Sequence, residues 1–299
     1  MFEAFTYKRG ALYAEDVSVE ALVRAHGTPL YIYSLKHVLD RYRRLDAAFA
    51  GLPHRVCFSM KANANLGILA ALAREGSGFD IVSGGELHRL IAAGADPRGV
   101  IFAGVGKTEE EMEYAISKNI FMFNIESWPE AVTLNRVAGR MGRRVKVDFR
   151  VNPDVQAGAH KKISTAHKAS KFGLPHHETL SLFRRARALK NLDLTGIHLH
   201  IGSQITEVRP FVAAARRALD LVSVLRKAGF PVTTLNMGGG LGITYNGEKP
   251  DTPEQYAAAL KPLFAGQGLT LLFEPGRFLV GNAGLLVCRT LYVKETRWK

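Results

Sequence analysis

The feature that most constrains this chain is a rhythm. Short β-rich runs alternate with longer stretches of helical periodicity. The runs fall near residues 55–59 (RVCFS), 79–82 (FDIV), 100–103 (VIFA), 121–124 (FMFN), 145–151 (VKVDFRV), 196–201 (GIHLHI), 234–237 (TLNM) and 270–273 (TLLF). Helical patterns lie between them, at 66–75, 85–93, 108–117, 128–140, 178–189, 208–228 and 253–264. Strands separated by helices form right-handed parallel βαβ units. Eight such strands within about 220 residues predict an α/β chain folded as a (β/α)8 TIM-like barrel, which takes roughly 250 residues. The competing architecture is an open doubly wound sheet, whose glycine-rich turn follows the first strand. Here the glycines at 238–240 and Gly242 follow the seventh, which favours the barrel.

The two chain ends do not fit this count. Residues 28–34 (TPLYIYS) read as an additional strand and 35–50 as a helix, and 284–295 (GLLVCRTLYVKE) is β-rich. The expected division is a barrel over 28–281, with 1–27 and 282–299 as segments of an incomplete β-domain.

Composition narrows the function classes. Apolar residues make up 47% and charged residues 22%, which describes a folded chain rather than a disordered one or a coiled coil. No run approaches the 18 or so apolar residues of a membrane span. Cys57 and Cys288 are the only cysteines, too few for a disulfide scaffold or a multi-cysteine metal site. No apolar signal core follows the N-terminus, so a reducing, cytoplasmic setting is expected. The formal charge of +13 raises the question of nucleic acid. Much of the excess is spread along helical stretches, as at Arg184, Arg185, Arg187, Arg216 and Arg217. The one dense cluster, HKKISTAHKASK at 160–171, reads as a loop. No aromatic-interleaved RNA motif, zinc finger or basic heptad accompanies it. Neither nucleic acid nor membrane is expected as a partner. A basic, nucleic-acid-binding barrel remains a competing reading, with a steep salt dependence as its mark.

In a barrel of this type the chemistry sits where strands end and βα loops begin. Lys61 follows the first strand and is a candidate amine nucleophile. Asp80, Ser83 and Glu86 follow the second, where Ser83 and Glu86 also read as a capping box. Arg150 on the fifth strand needs an anionic partner if buried. His198 and His200 on the sixth share a face through their i, i+2 spacing, as core histidines or a metal pair. No third ligand stands at an obvious spacing, so no metal is expected. The adjoining Ser203 offers a hydroxyl. The glycines after the seventh strand, Gly239 and Gly240 among them, can turn backbone N–H groups toward a phosphate. Glu274 leaves the apolar eighth strand, followed by Pro275, Gly276 and Arg277. An amine, an imidazole, a phosphate cradle, an anchored carboxylate and a guanidinium together match pyridoxal 5′-phosphate. Its ring becomes an electron sink when a carboxylate keeps its nitrogen protonated.

The stretches SMKANAN (59–65), GFDIVSGGEL (78–87), FRVNPDV (149–155), SKFG (170–173), HLHIGSQI (198–205), NMGGGLGI (236–243) and EPGRFLVGNAG (274–284) carry a resemblance. In order and spacing the chain resembles the fold-type III pyridoxal phosphate-dependent decarboxylases, and within them the diaminopimelate decarboxylases. The resemblance implies an alanine racemase-like barrel, a homodimer and decarboxylation of meso-2,6-diaminopimelate to L-lysine and CO2 in lysine biosynthesis. It implies Lys61 as the Schiff-base lysine and His200 over the ring. Asp80, Ser203, Gly239, Gly240, Pro275, Gly276 and Arg277 would lie around the cofactor, with Glu274 on the ring nitrogen. Arg277 would also meet a substrate carboxylate. Asp80 and Glu86 would be supports, and the basic 160–171 segment a loop beside the site. Two related readings stand beside it: a decarboxylase of the ornithine/arginine type, and a single-domain pyridoxal phosphate-binding barrel with a homeostatic role. The family pattern continues into a β-domain bearing a Cys-Glu-Ser-Gly-Asp motif and a Tyr, neither of which occurs here. Cys288 matches no such motif. The expectation is therefore a truncated chain that lacks its proton donor and decarboxylates poorly by itself.

Overall fold

The computed structural model describes residues 4–155 and 172–295; the basic 160–171 segment lies outside them. Eight strands appear where the rhythm predicts them: β1 (His54–Ser59), β2 (Gly78–Ile81), β3 (Val100–Phe102), β4 (Met122–Ile125), β5 (Val145–Asn152), β6 (Leu192–His198), β7 (Thr234–Asn236) and β8 (Thr270–Phe273). Every neighbouring pair is parallel. The sheet closes because β8 pairs with β1 while β4 pairs with β5. The open doubly wound alternative is thereby excluded.

The helices start where short polar side chains can cap free N–H groups. Ser34 opens α1 (Leu35–Ala48), Asn65 opens α2 (Leu66–Arg74) and Ser83 opens α3 (Gly84–Ala92). Thr108 with Glu111 forms a full capping box for α4 (Glu109–Ser117), and Ser127 opens α5 (Trp128–Arg140). No side-chain cap precedes α6 (Thr179–Ala186) or α7 (Arg209–Lys227). Thr252 with Gln255 boxes α8 (Pro253–Phe264). β8 is followed by a single helical turn, Arg277–Val280. The outer ring is completed from before the barrel instead, as α1 packs between α8 and α2.

Two cores result. Between staves and helices lies the large apolar layer that includes Phe49, Phe58, Phe102, Phe149 and Phe273. Inside the barrel, Cys57, Ile101, Met122 and Leu272 form a small apolar plug. Above the plug the interior turns polar. Asp148 is fully buried there and accepts hydrogen bonds from the hydroxyls of Thr234 (2.9 Å) and Thr195 (3.1 Å). The register of β6 against β5 slips between Leu194 and Gly196, a bulge that brings Thr195 to this carboxyl. A Cβ on Gly196 would stand 2.2 Å from both Thr234 O and Oγ1, so only glycine permits this approach.

Burial pushes the Asp148 carboxyl up to about 7, against the pull of the two threonine hydroxyls. Because the folded value lies above the unfolded one, its stabilising contribution is complete below about pH 4. It is then lost at about 1.4 kcal/mol per pH unit as pH rises toward 7. Asp148→Asn mimics the neutral acid. We predict that it gains roughly 2–3 kcal/mol on the parent chain between pH 5 and 8, read from urea unfolding at both values. A pH-independent difference between the two chains would contradict the buried neutral acid.

The chain ends depart from expectation in detail. Residues before the barrel form an antiparallel sheet of Phe5–Lys8, Ala11–Ala14 and Val17–Ser18, then a helix at Val19–His26 that the strand patterning did not foretell. Leu30–Tyr33 pairs antiparallel with Gly284–Val287. Only those four residues of the β-rich 284–295 run form a strand; 288–295 lie outside any. Ala14, Val19, Ile32, Leu285 and Val287 share one small apolar cluster, so both ends of the chain meet in space.

Candidate active site

The C-terminal ends of the staves converge on a cavity of about 420 Å³. Its lining includes Lys61, His200, Ser203, Gly240, Glu274 and Arg277. Residues spread over more than two hundred positions of sequence thus face one space.

Lys61 stands on a short turn, Met60–Ala62, directly after β1. Its stem is half-exposed, but Nζ is tied to the wall, 2.6 Å from Ser59 Oγ and 2.8 Å from Asp80 Oδ2. Burial opposes the charge on Lys61, yet the anions of Asp80 and Glu274 overcome it and hold the ammonium above the usual lysine range. Burial pushes the Asp80 carboxyl upward, and Lys61 draws it back in part.

Glu274 leaves β8 into the barrel mouth and is buried. Asn236 Nδ2 (2.6 Å) and Asn124 Nδ2 (3.2 Å) donate to its Oε1. His198 Nε2 lies 3.2 Å from Oε2. Burial would raise this carboxyl, but the opposing influence of His198, Lys61 and Asn236 keeps it well below the ordinary carboxylate range. The result is a fixed buried anion aimed into the cavity.

His200 lies just beyond β6. Burial and the positive charges of Arg150 and Lys61 push its imidazole down to about 3. It is neutral at pH 7, and its Nδ1 accepts a hydrogen bond from Gly239 N (3.3 Å), which places the ring proton on Nε2. The glycine turn brings backbone against backbone. A Cβ on Gly239 would meet Glu274 O at 2.2 Å, and one on Gly240 would meet Gly202 O at 2.6 Å. Ile205 and Leu241 form a parallel bridge between the two loops. Pro275 O accepts from Ser59 N (3.0 Å), and Gly276 closes against Ala62 and Ser59. Arg277 Nε lies 3.4 Å from Ser203 Oγ, and its Nη1 donates to Tyr245 Oη.

Other candidates resolve differently. Arg150 finds its anion in Glu126, 2.8 Å away and also buried. Glu86 turns back on its own helix. Its Oε2 accepts from Val82 N (2.7 Å), and its N–H donates to Ser83 Oγ. His198 belongs to Glu274 rather than to a metal pair with His200. Sequence reasoning missed Ser59, Asn124, Asn236 and Tyr245. Ser59 and Asn236 are the last residues of β1 and β7. Scanning each stave for a polar terminal residue would have found both.

The donor set fits pyridoxal phosphate. Lys61 offers an amine, Glu274 a buried anion, His200 a neutral flat ring, and the glycine turn a backbone cradle that a Cβ would fill. Among the described residues no helix is long and apolar enough to cross a membrane.

Comparison with known proteins agrees with this geometry. Residues 35–281 match the family described as pyridoxal-dependent decarboxylase, pyridoxal binding domain. The chain is 46% identical over 297 residues to the diaminopimelate decarboxylase of Pseudomonas aeruginosa, covering 99% of this chain and 72% of that protein. The Vibrio cholerae diaminopimelate decarboxylase is likewise 46% identical over 297 residues, with 99% and 71% covered. The crystal structure of diaminopimelate decarboxylase from M. jannaschii with L-lysine superposes with a TM-score of 0.91 at 34% identity, over 99% of this chain and 71% of that one. With the family matched across most of its length and the barrel built to hold the cofactor, this chain belongs to the pyridoxal-dependent decarboxylases.

Proposed function

We propose that the chain decarboxylates meso-2,6-diaminopimelate to L-lysine and CO2, with pyridoxal 5′-phosphate as cofactor. One observation carries the reading: Lys61, His200, Glu274 and Arg277 line a single cavity in a chain 46% identical to a diaminopimelate decarboxylase. The ornithine/arginine alternative has no comparable support.

When bound, pyridoxal phosphate supplies an aldehyde for the amine and a ring that accepts the electrons left by departing CO2. The protein's own groups do the rest. Lys61 provides the amine that would anchor the cofactor. Glu274, held ionised by its amide and imidazole neighbours, keeps a proton on the ring nitrogen. His200 stays neutral and offers its face for stacking, so that it does not repel a cationic ring. Gly239, Gly240 and Gly276, with the Ser203 hydroxyl and Pro275, form the wall for the phosphate. Asp80 holds the proton balance of Lys61. Arg277 offers its guanidinium to a substrate carboxylate, a pairing suited to a bidentate fork. A dicarboxylic, diamino substrate of this kind matches a mouth with the Arg277 guanidinium and the buried Glu274 anion on one lining. The same reading takes a cytoplasmic homodimer, and a division into a barrel over 28–281 and β segments at 1–27 and 282–299.

The test is direct. The purified chain, loaded with pyridoxal phosphate, is incubated with meso-diaminopimelate, L-ornithine and L-arginine. Lysine and CO2 are expected from the first alone. Turnover of ornithine or arginine in preference, or a bound-cofactor visible absorbance that meso-diaminopimelate leaves unchanged, overturns the assignment.

A further inference from the structure

Ser59 has no part in the chemistry described so far, yet its hydroxyl is the closest hydrogen-bonding neighbour of Lys61 Nζ. It accepts from Nζ at 2.6 Å and donates to Asp80 Oδ2 at 2.7 Å. Nζ also reaches Asp80 Oδ2 directly at 2.8 Å. The three atoms form a closed triangle with one ammonium, one hydroxyl and one carboxylate oxygen. Ser59 and Asp80 are both buried, while the lysine stem is half-exposed. Its geometry is fixed by the fold: Ser59 and Asp80 are register partners across β1 and β2, and Ser59 N is held by Pro275 O.

We propose that Ser59 and Asp80 form a holding site for the Lys61 ammonium, and that the Ser59 hydroxyl governs how readily Lys61 becomes an attacking amine. The inference rests on Lys61 being the cofactor lysine. The step is a single proton transfer. The proton leaves Nζ for Asp80 Oδ2, the ammonium becomes a neutral amine, and the carboxylate becomes a neutral acid. Ser59 keeps its own proton, and no other bond changes. By accepting from Nζ, Ser59 favours the ammonium; by donating to Oδ2, it favours the carboxylate. Both contacts therefore hold the pair in its charged form and slow the appearance of the free amine. The same site receives the lysine whenever a substrate amine displaces it, keeping a cationic, non-nucleophilic Lys61 aside during turnover. Other titratable groups that act on or feel Lys61 are Glu274, Arg150, His200 and Glu86; none is altered by changing Ser59.

The experiment compares the 299-residue chain with Ser59→Ala, both freed of cofactor. Two quantities are read: the rate at which added pyridoxal phosphate develops its protein-bound visible band, followed from pH 6 to 10, and the titration midpoint of Lys61 by NMR of 13C-labelled lysine. Lys61→Ala assigns both signals. In Ser59→Ala the midpoint is expected to fall by about one pH unit, and association at pH 7.5 to become about tenfold faster, the effect of losing one charge-assisted hydrogen bond. Asp80→Asn moves the midpoint the same way and serves as a second reading should Ser59→Ala fold poorly. An unchanged or raised midpoint in a folded Ser59→Ala chain overturns the holding site. A visible band that persists in Lys61→Ala instead refutes the cofactor lysine itself, so the two failures are separable.

Discussion

Lys61→Ala is expected to lower decarboxylation by the cofactor-loaded chain on the order of 10³-fold or more. It should also abolish the visible band that marks covalent attachment. The reason is geometric as well as chemical. Among the described residues Lys61 is the only lysine in the cavity lining, and it leaves a turn set by β1, whose register partner β2 carries Asp80. The substitution has a second consequence. Asp80 is buried and loses its cation, so its carboxyl rises further toward the neutral acid. The variant should therefore remain folded near neutral pH, with the loss confined to chemistry. Turnover and absorbance measured side by side, with a melting curve, decide the matter. Activity within tenfold of the parent chain would remove Lys61 from the mechanism.

Glu274→Gln is expected to reduce kcat by about 10²–10³-fold while leaving cofactor attachment to Lys61 intact. Glutamine preserves the shape, and its carbonyl oxygen still accepts from Asn236 and Asn124. What it removes is a negative charge that the site has arranged to keep. Two amide donors and an imidazole hold the carboxylate ionised despite complete burial. An amide in its place cannot hold a proton on the ring nitrogen, so the ring withdraws electrons less strongly as CO2 leaves. The signature is a fall in kcat with the visible band retained, monitored by stopped-flow absorbance and CO2 release. A kcat unchanged within threefold would place the electron sink elsewhere.

Much of the site was legible before the fold was known because barrel chemistry is confined to strand ends. Once the eight staves are read, Lys61, Asp80, His200 and Glu274 stand at their ends, where no one of them is specific but their combination points to a single cofactor. The glycine turn after β7 was legible as a place where backbone must approach closely, and the contacts at Gly239 and Gly240 are of that kind. Partners across the barrel were not legible. Asn124 stands 150 residues before Glu274, and no local pattern links an amide on one stave to a carboxylate on another. Arg150 announced its need for an anion, but Glu126 could be identified only from the packing of neighbouring staves. The helix at Val19–His26 was missed for a different reason. It lies in a segment read as β, and its apolar face is matched to a small cluster built from both chain ends.

What this amino-acid sequence determined by itself was periodicity and chemistry type: which runs are strands, which are helices, and which polar residues stand at the mouths of staves. These depend on neighbours a few positions apart, which a linear chain displays. The tertiary structure decided charge state and pairing. Whether Glu274 is ionised, His200 neutral or Lys61 parked on Ser59 depends on burial and on groups tens to hundreds of residues away, and only closure of the barrel brings those within a few ångströms.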